Sequence, residues 1–156
     1  TTGRTHHRTP NIITSLELDP AEMEKRNIHL QKKYAEIEEN EVRFEELHCE
    51  DSEYLIVAFG SCARIAQKAM EMAREEGIKV GLLRPITLWP FPSKAIAARA
   101  AQVKGILTVE LNAGQMVEDV RLAVKCKVPV EHFGRLGGIV PDPDEVITAL
   151  KEKLIK

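Results

Sequence analysis

The last two thirds of the chain alternate short apolar runs with longer amphipathic segments. Four short runs predict strands: YLIVAF (54–59), KVGLL (79–83), GILTVEL (105–111) and PVEHF (129–133). The first is continuously apolar, as in a strand buried on both faces, and the second is also predicted to be buried. The segments between and after them predict helices at about 61–76, 93–103, 114–125 and 143–155. This alternation predicts an α/β domain with a parallel sheet covered by helices on both faces.

A different pattern precedes these runs. Residues 1–19 are Thr-rich and irregular, and a helix is predicted from about 20 to 40, with Asp19 as its N-cap and Pro20 as its first residue. One face of this helix carries a narrow, mainly apolar stripe: Met23, Asn27, Leu30, Tyr34 and Ile37. We interpret it as a linker helix packed on its own domain. A coiled coil or a helix that docks on a partner is the alternative.

The segment 42–48 lies between that helix and the first apolar run. Val42 and Phe44 alternate with charged neighbours, which favours a short edge strand. Phe44 also follows Ile37 by seven residues, so a continuation of the helix remains the alternative.

Composition narrows the class of protein. The length of 156 residues suits one domain, and the formal net charge of -2 argues against a nucleic-acid binder. No apolar run has the length of a membrane span. The three cysteines have no paired spacing, which excludes a disulfide framework or a sequence-evident metal or cluster site and favours the cytoplasm. Because the first residue is Thr1, we expect a piece of a longer polypeptide.

Candidate chemistry lies where the predicted parallel strands end, since open α/β sheets bind ligands beyond the carboxyl ends of their strands. The predicted rim contains Gly60, Ser61, Arg64, Arg84, Glu110, Asn112 and Arg135. Its arginines and carboxylate suit an anionic or zwitterionic group, and the following helix could add backbone donors. Alternatively, the charged residues pair with one another or with a neighbouring chain. No GxGxxG or GxxxxGK[ST] motif accompanies Gly60.

Single reactive residues do not form a catalytic set. Ser61 lacks a GxSxG context and is expected to cap a helix. Cys62 could be a nucleophile at a helix N-terminus, but its place on an apolar stripe favours a buried thiol. His132 at a strand end is expected to be structural, and the adjacent His6 and His7 to be a surface pair.

Two segments together carry a family resemblance. GSCARIAQKAMEMAREEGIKVGLLRPITLWPFP (60–92) and VELNAGQ (109–115) resemble the 2-oxoacid:ferredoxin oxidoreductases, specifically the transketolase C-terminal-like domain of their alpha-type subunit. The resemblance implies a three-layer α/β/α fold with a mostly parallel five-stranded sheet, whose antiparallel edge strand is 42–48. It also implies the following division: a linker or tail at 1–19, a linker helix and edge strand at 20–48, and the domain at 49–156.

The resemblance also implies a function. The family oxidatively decarboxylates a 2-oxoacid such as pyruvate to an acyl-CoA, with thiamine diphosphate, magnesium, 4Fe-4S clusters and coenzyme A, and with ferredoxin as acceptor. This chain is expected to support assembly with other domains and subunits, to meet ferredoxin only indirectly, and to hold no cofactor and show no activity alone. Substitution of Arg84 or Glu110 is expected to leave the fold intact. The alternatives are an autonomous anion-binding α/β protein and an interaction module that docks through its 20–40 helix.

Overall fold

A computed structural model describes residues 16–155 together with His7 and Thr9. The chain forms two compact units, residues 1–37 and residues 38–156. The tail predicted at 1–19 falls mostly outside the described residues, because 1–6, 8 and 10–15 are not among them. That prediction therefore stays untested.

The first helix, α1, spans Pro20–Asn40 as predicted. Asp19 accepts a hydrogen bond from the Ala21 amide through Oδ1 at 2.8 Å, which satisfies one of the free N–H groups at the helix start. Within α1, only the stripe members Met23, Leu30 and Ile37 are half-buried, and the other residues are exposed. Whether this stripe packs on its own domain or on a partner stays a prediction.

Residues 38–156 contain a five-stranded sheet in the order β1-β3-β2-β4-β5. The strands are β1 Phe44–Leu47, β2 Tyr54–Ala58, β3 Val80–Pro85, β4 Gly105–Glu110 and β5 Val130–Gly134. All neighbouring pairs are parallel except β1 with β3, which is antiparallel. The predicted mostly parallel sheet with an antiparallel edge strand is confirmed, and the helical alternative for 42–48 is wrong.

Helices cover both faces of this sheet. They are α2 Gly60–Glu75, α3 Ser93–Ala100, α4 Met116–Val124 and α5 Pro143–Leu150, and five residues in a wider π-helical turn follow α5 at Lys151–Ile155. Alternate residues of β2 point to opposite faces. Ile56 and Ala58 belong to the apolar cluster with α2 and α5, whereas Leu55 and Val57 belong to the cluster with α3 and α4. The three-layer α/β/α fold is therefore confirmed. No helix in the described residues combines the length and apolar character that crossing a bilayer requires.

Two boundaries differ from the prediction for local reasons. The β3 strand extends two residues further, to Pro85, because Arg84 and Pro85 pair with Glu45 and Phe44 of β1. The predicted cap at Ser61 is wrong, since α2 already begins at Gly60 and no side chain caps it. Gly60 has a φ of +55°, a left-handed conformation that glycine adopts without strain, so the chain turns into the helix there.

Candidate functional site

All the rim residues predicted from the sequence lie at or beyond the carboxyl ends of the parallel strands. Gly60 and Ser61 follow β2, Arg84 is near the end of β3, and Glu110 ends β4. Asn112 follows β4, Arg135 follows β5, and Arg64 lies in the first turns of α2. The fold therefore brings the rim to one edge of the sheet, although its members have different environments.

Glu110 differs most from its predicted role. Its side chain is fully buried, and its carboxylate faces the N-terminus of α4. Oε2 accepts hydrogen bonds from the amides of Gln115 (3.2 Å) and Met116 (2.8 Å), and Oε1 accepts one from Val117 (3.0 Å). A carboxylate here satisfies free N–H groups and complements the positive end of the helix dipole. The expectation that Glu110 faces a ligand is therefore corrected: it caps α4 from the end of β4.

His132 extends this buried network beside Glu110. Its Nε2 lies 3.3 Å from the Asn112 carbonyl oxygen. Its Nδ1 lies 3.2 Å from Thr108 Oγ1 and 3.4 Å from Glu110 Oε1. The ring is engaged on both sides, as expected of a structural histidine. Sequence reasoning missed Thr108, and only the parallel register that places it opposite His132 reveals this contact.

Arg84 and Arg135 each form an ion pair with a carboxylate of the same domain. Arg84 Nη1 lies 2.9 Å from Glu45 Oε2 on β1, and Arg135 Nη1 lies 3.3 Å from Glu145 Oε1 on α5. Both pairs are largely solvent-exposed, so each contributes little to stability. The arginines therefore pair with carboxylates outside the rim rather than with Glu110 or each other, and a ligand or a neighbouring chain at the rim stays a prediction.

Gly60, Ser61 and Arg64 form the exposed part of the rim, at the start of α2. No side chain caps this helix, and a Cβ on Gly60 would meet nothing within 4 Å. Asn112 turns inward instead, since its Oδ1 accepts a hydrogen bond from the Gly114 amide at 2.7 Å. The rim therefore offers open backbone at α2 but no converging set of unpaired charges.

The cysteines do not form a reactive or metal-binding centre. Burial raises the pKa of the Cys49 thiol to about 11. Burial, with a smaller effect from the Glu110 charge, also raises the pKa of Cys62. Both shifts disfavour the nucleophilic thiolate, in keeping with the interpretation of Cys62 as a buried thiol. Within the described residues, no three His, Cys, Asp or Glu side chains are grouped to hold a metal ion.

Comparison with known proteins identifies the family. The profile of pyruvate:ferredoxin oxidoreductase core domain II matches residues 52–146, most of the chain. The chain belongs to this family. The resemblance recognised in its sequence is thereby confirmed.

Named relatives agree with this assignment. The ketoisovalerate oxidoreductase subunit VorB of Methanothermobacter marburgensis is 46% identical over 142 residues, which cover 91% of this chain and 40% of the relative. The 2-oxoglutarate synthase subunit KorA of Archaeoglobus fulgidus is 32% identical over 143 residues, 90% of this chain and 40% of that subunit. The chain thus spans about two fifths of the length of these relatives.

Solved structures show the same fold. A 2-oxoglutarate:ferredoxin oxidoreductase from Magnetococcus marinus, solved with 2-oxoglutarate, coenzyme A and succinyl-CoA bound, matches 87% of this chain and 24% of its own, with a TM-score of 0.75 and 25% identity. A split-gene transketolase matches 72% of this chain and 41% of its own, with a TM-score of 0.62 and 20% identity. The second match supports the transketolase-like fold alone.

Proposed function

We propose that this chain is the domain that holds the alpha-type subunit of a 2-oxoacid:ferredoxin oxidoreductase in its complex, and that it supplies no catalytic group. The observation that carries this proposal is the state of the charged rim. Glu110 caps α4, while Arg84 and Arg135 are paired with carboxylates of the same domain. Because these three charges are engaged, this part of the edge offers a surface for packing rather than a set of groups for proton or charge transfer.

The implied enzyme oxidatively decarboxylates a 2-oxoacid to an acyl-CoA and passes the electrons to ferredoxin. Within the described residues, no metal ligands are grouped, and Cys49 and Cys62 are buried at separate places, which suits neither the magnesium that accompanies thiamine diphosphate nor a 4Fe-4S cluster. We therefore assign these cofactors to other domains and subunits, which are the partners of this chain. Three unpaired thiols are compatible with a reducing cytoplasm.

Coenzyme A is the one cofactor that could border this domain. The Magnetococcus marinus enzyme was solved with coenzyme A bound, and here the start of α2 at Gly60, Ser61 and Arg64 is open. An exposed arginine beside free helix N–H groups suits a phosphate. We keep this part of the rim as the side that faces either coenzyme A or a neighbouring chain. On the basis of the family resemblance, we also propose the division into a linker or tail at 1–19, a linker helix and edge strand at 20–48, and the domain at 49–156.

Reconstitution tests the proposal. The tagged chain is co-expressed with the remaining parts of the oxidoreductase, and the mass and composition of the purified complex are measured by native mass spectrometry. We expect the chain in stoichiometric amount with the other subunits. A chain that stays free while the other parts assemble would contradict the assembly role. A free chain whose melting temperature rises with an anion would instead favour an autonomous binding protein.

A further inference from the structure

Exposed large apolar side chains are concentrated at one place in the α/β unit. In the described part of residues 38–156, all of them except Leu122 lie at the carboxyl edge of the parallel strands or in the loops that leave it. We define the carboxyl-edge apolar surface as Phe44, residues 86–89, Leu111 and residues 136–140. Monomeric proteins seldom collect apolar side chains in this way, and such patches mark binding surfaces.

One half of this surface is a loop fixed against Arg43, the residue before β1. The loop after β3 exposes Leu88 by 48% and Trp89 by 56%, and Phe44 on the adjacent β1 is exposed by 39%. Hydrogen bonds hold the loop in place: the Thr87 amide donates to the Arg43 carbonyl at 3.1 Å, and the Arg43 amide donates to Thr87 Oγ1 at 3.0 Å. The apolar side chains are therefore presented on an ordered backbone.

The other half follows β4 and β5. Leu111 is 44% exposed, Leu136 58%, Ile139 52% and Val140 61%. The Ile139 amide donates to the Leu136 carbonyl at 3.3 Å, so a turn brings these two residues together. Since neighbouring strands are about 4.8 Å apart, the strand ends from β1 to β5 span about 19 Å.

The side chains of the carboxyl-edge apolar surface suit an apolar occupant. The nearby Arg84 and Arg135 are neutralised by Glu45 and Glu145, as described above, so no unpaired charge of these residues selects an ionic ligand. The family relatives are much longer than this chain: about three fifths of the Methanothermobacter marburgensis subunit lies outside the matched part. In a subunit of that length, a surface on this domain would meet the rest of its own polypeptide at high effective concentration, which favours the same polypeptide as the occupant.

We propose that the carboxyl-edge apolar surface docks against the remainder of the same oxidoreductase subunit, so that the edge that binds ligands in many open α/β sheets is here a domain interface. This inference rests on the proposed function, since it names the surface through which the assembly role acts. A second copy of this chain is the competing occupant, and the experiment below separates the two.

The test is hydrogen–deuterium exchange on the complete oxidoreductase and on the isolated chain. We expect the amides of Leu88, Trp89 and 136–140 to exchange at least about 30-fold more slowly in the complete enzyme than in the isolated chain. A slowing of this size corresponds to the energy of one hot-spot residue at a protein interface. The double variant L88E/L136E in the full-length subunit should return them to the isolated-chain rates. The matched control L122E, also an exposed leucine but located on α4, should leave the protection unchanged.

Each outcome has one meaning. Equal exchange in both states, with the subunit still in its complex, would overturn the docking surface but not the assembly role. A wild-type subunit that does not associate with its partners would overturn the proposed function itself. Sedimentation of the isolated chain as a dimer that L88E/L136E dissociates would assign the surface to a second copy and overturn the proposed occupant. Circular dichroism confirms that each variant is folded.

Discussion

Replacement of Glu110 by alanine is expected to lower the free energy of unfolding of the chain by about 3–5 kcal/mol. Three backbone N–H groups at the start of α4 lose their acceptor at once, and those of Met116 and Val117 are buried. Buried donors without partners are costly because water cannot reach them. Urea denaturation at neutral pH measures the loss, which is a large fraction of the stability of a small domain.

Two variants delimit this prediction. Glu110→Gln keeps one carbonyl oxygen as an acceptor and should lose less than half as much stability as the alanine variant. Glu53→Ala removes an exposed carboxylate paired with Lys104 and should leave the urea midpoint unchanged. A midpoint for Glu110→Ala equal to that of wild type would show that Glu110 does not cap α4. Such a result would instead agree with the expectation from the sequence that substitution of Glu110 leaves the fold intact.

Replacement of Arg99 by methionine is expected to cost about 2 kcal/mol at pH 7, because it leaves a partly buried carboxylate without its cation. Arg99 Nε lies 2.9 Å from Glu46 Oε1 and Nη2 lies 2.6 Å from Oε2, a two-pronged contact between α3 and β1. The two side chains are only 19% and 23% exposed. Lys104→Met, which breaks an exposed pair, is the matched control.

The pH dependence gives this contact a second signature. The Arg99 guanidinium holds the pKa of Glu46 below its usual value of 4.5. A depressed carboxyl pKa contributes stability that is present above the unfolded value and is lost as the pH falls through the folded value. The difference between wild type and Arg99→Met should therefore be full at pH 7 and shrink below about pH 4.5. A difference that stays constant from pH 7 to pH 3 would assign the effect to packing of the Arg99 stem.

Most of the fold could be predicted because its signals are local. A continuous apolar run is sufficient to place β2, and apolar residues repeated every three to four positions are sufficient to place α2. Asp19 and Pro20 mark the start of α1. Boundaries set by tertiary contacts could not be read in the same way. The extension of β3 to Pro85 depends on pairing with β1, and the start of α2 depends on the conformation of Gly60.

The position of the rim residues in the fold could be predicted, but the contacts of their side chains could not. The topology rule for open sheets correctly places the rim residues at one edge. It does not tell which side chains turn inward, because that depends on partners far apart in sequence. Glu110 is buried because free N–H groups of α4 lie in front of it, and Arg84 is paired because β1 places Glu45 beside it. The apolar residues of the loops can be seen in the sequence, but only their solvent exposure in the structure distinguishes them from core residues.

The assembly role is tested most directly by measuring 2-oxoacid- and CoA-dependent acceptor reduction per assembled complex. The enzyme compared with wild type has an alpha-type subunit that lacks the region corresponding to residues 38–156. We predict that turnover and the amount of full complex, counted by native mass spectrometry, fall together, and that any residual complex turns over at the wild-type rate. Complexes that assemble fully around the deletion but turn over tenfold more slowly or worse would show that this domain supplies chemistry, and would contradict the account.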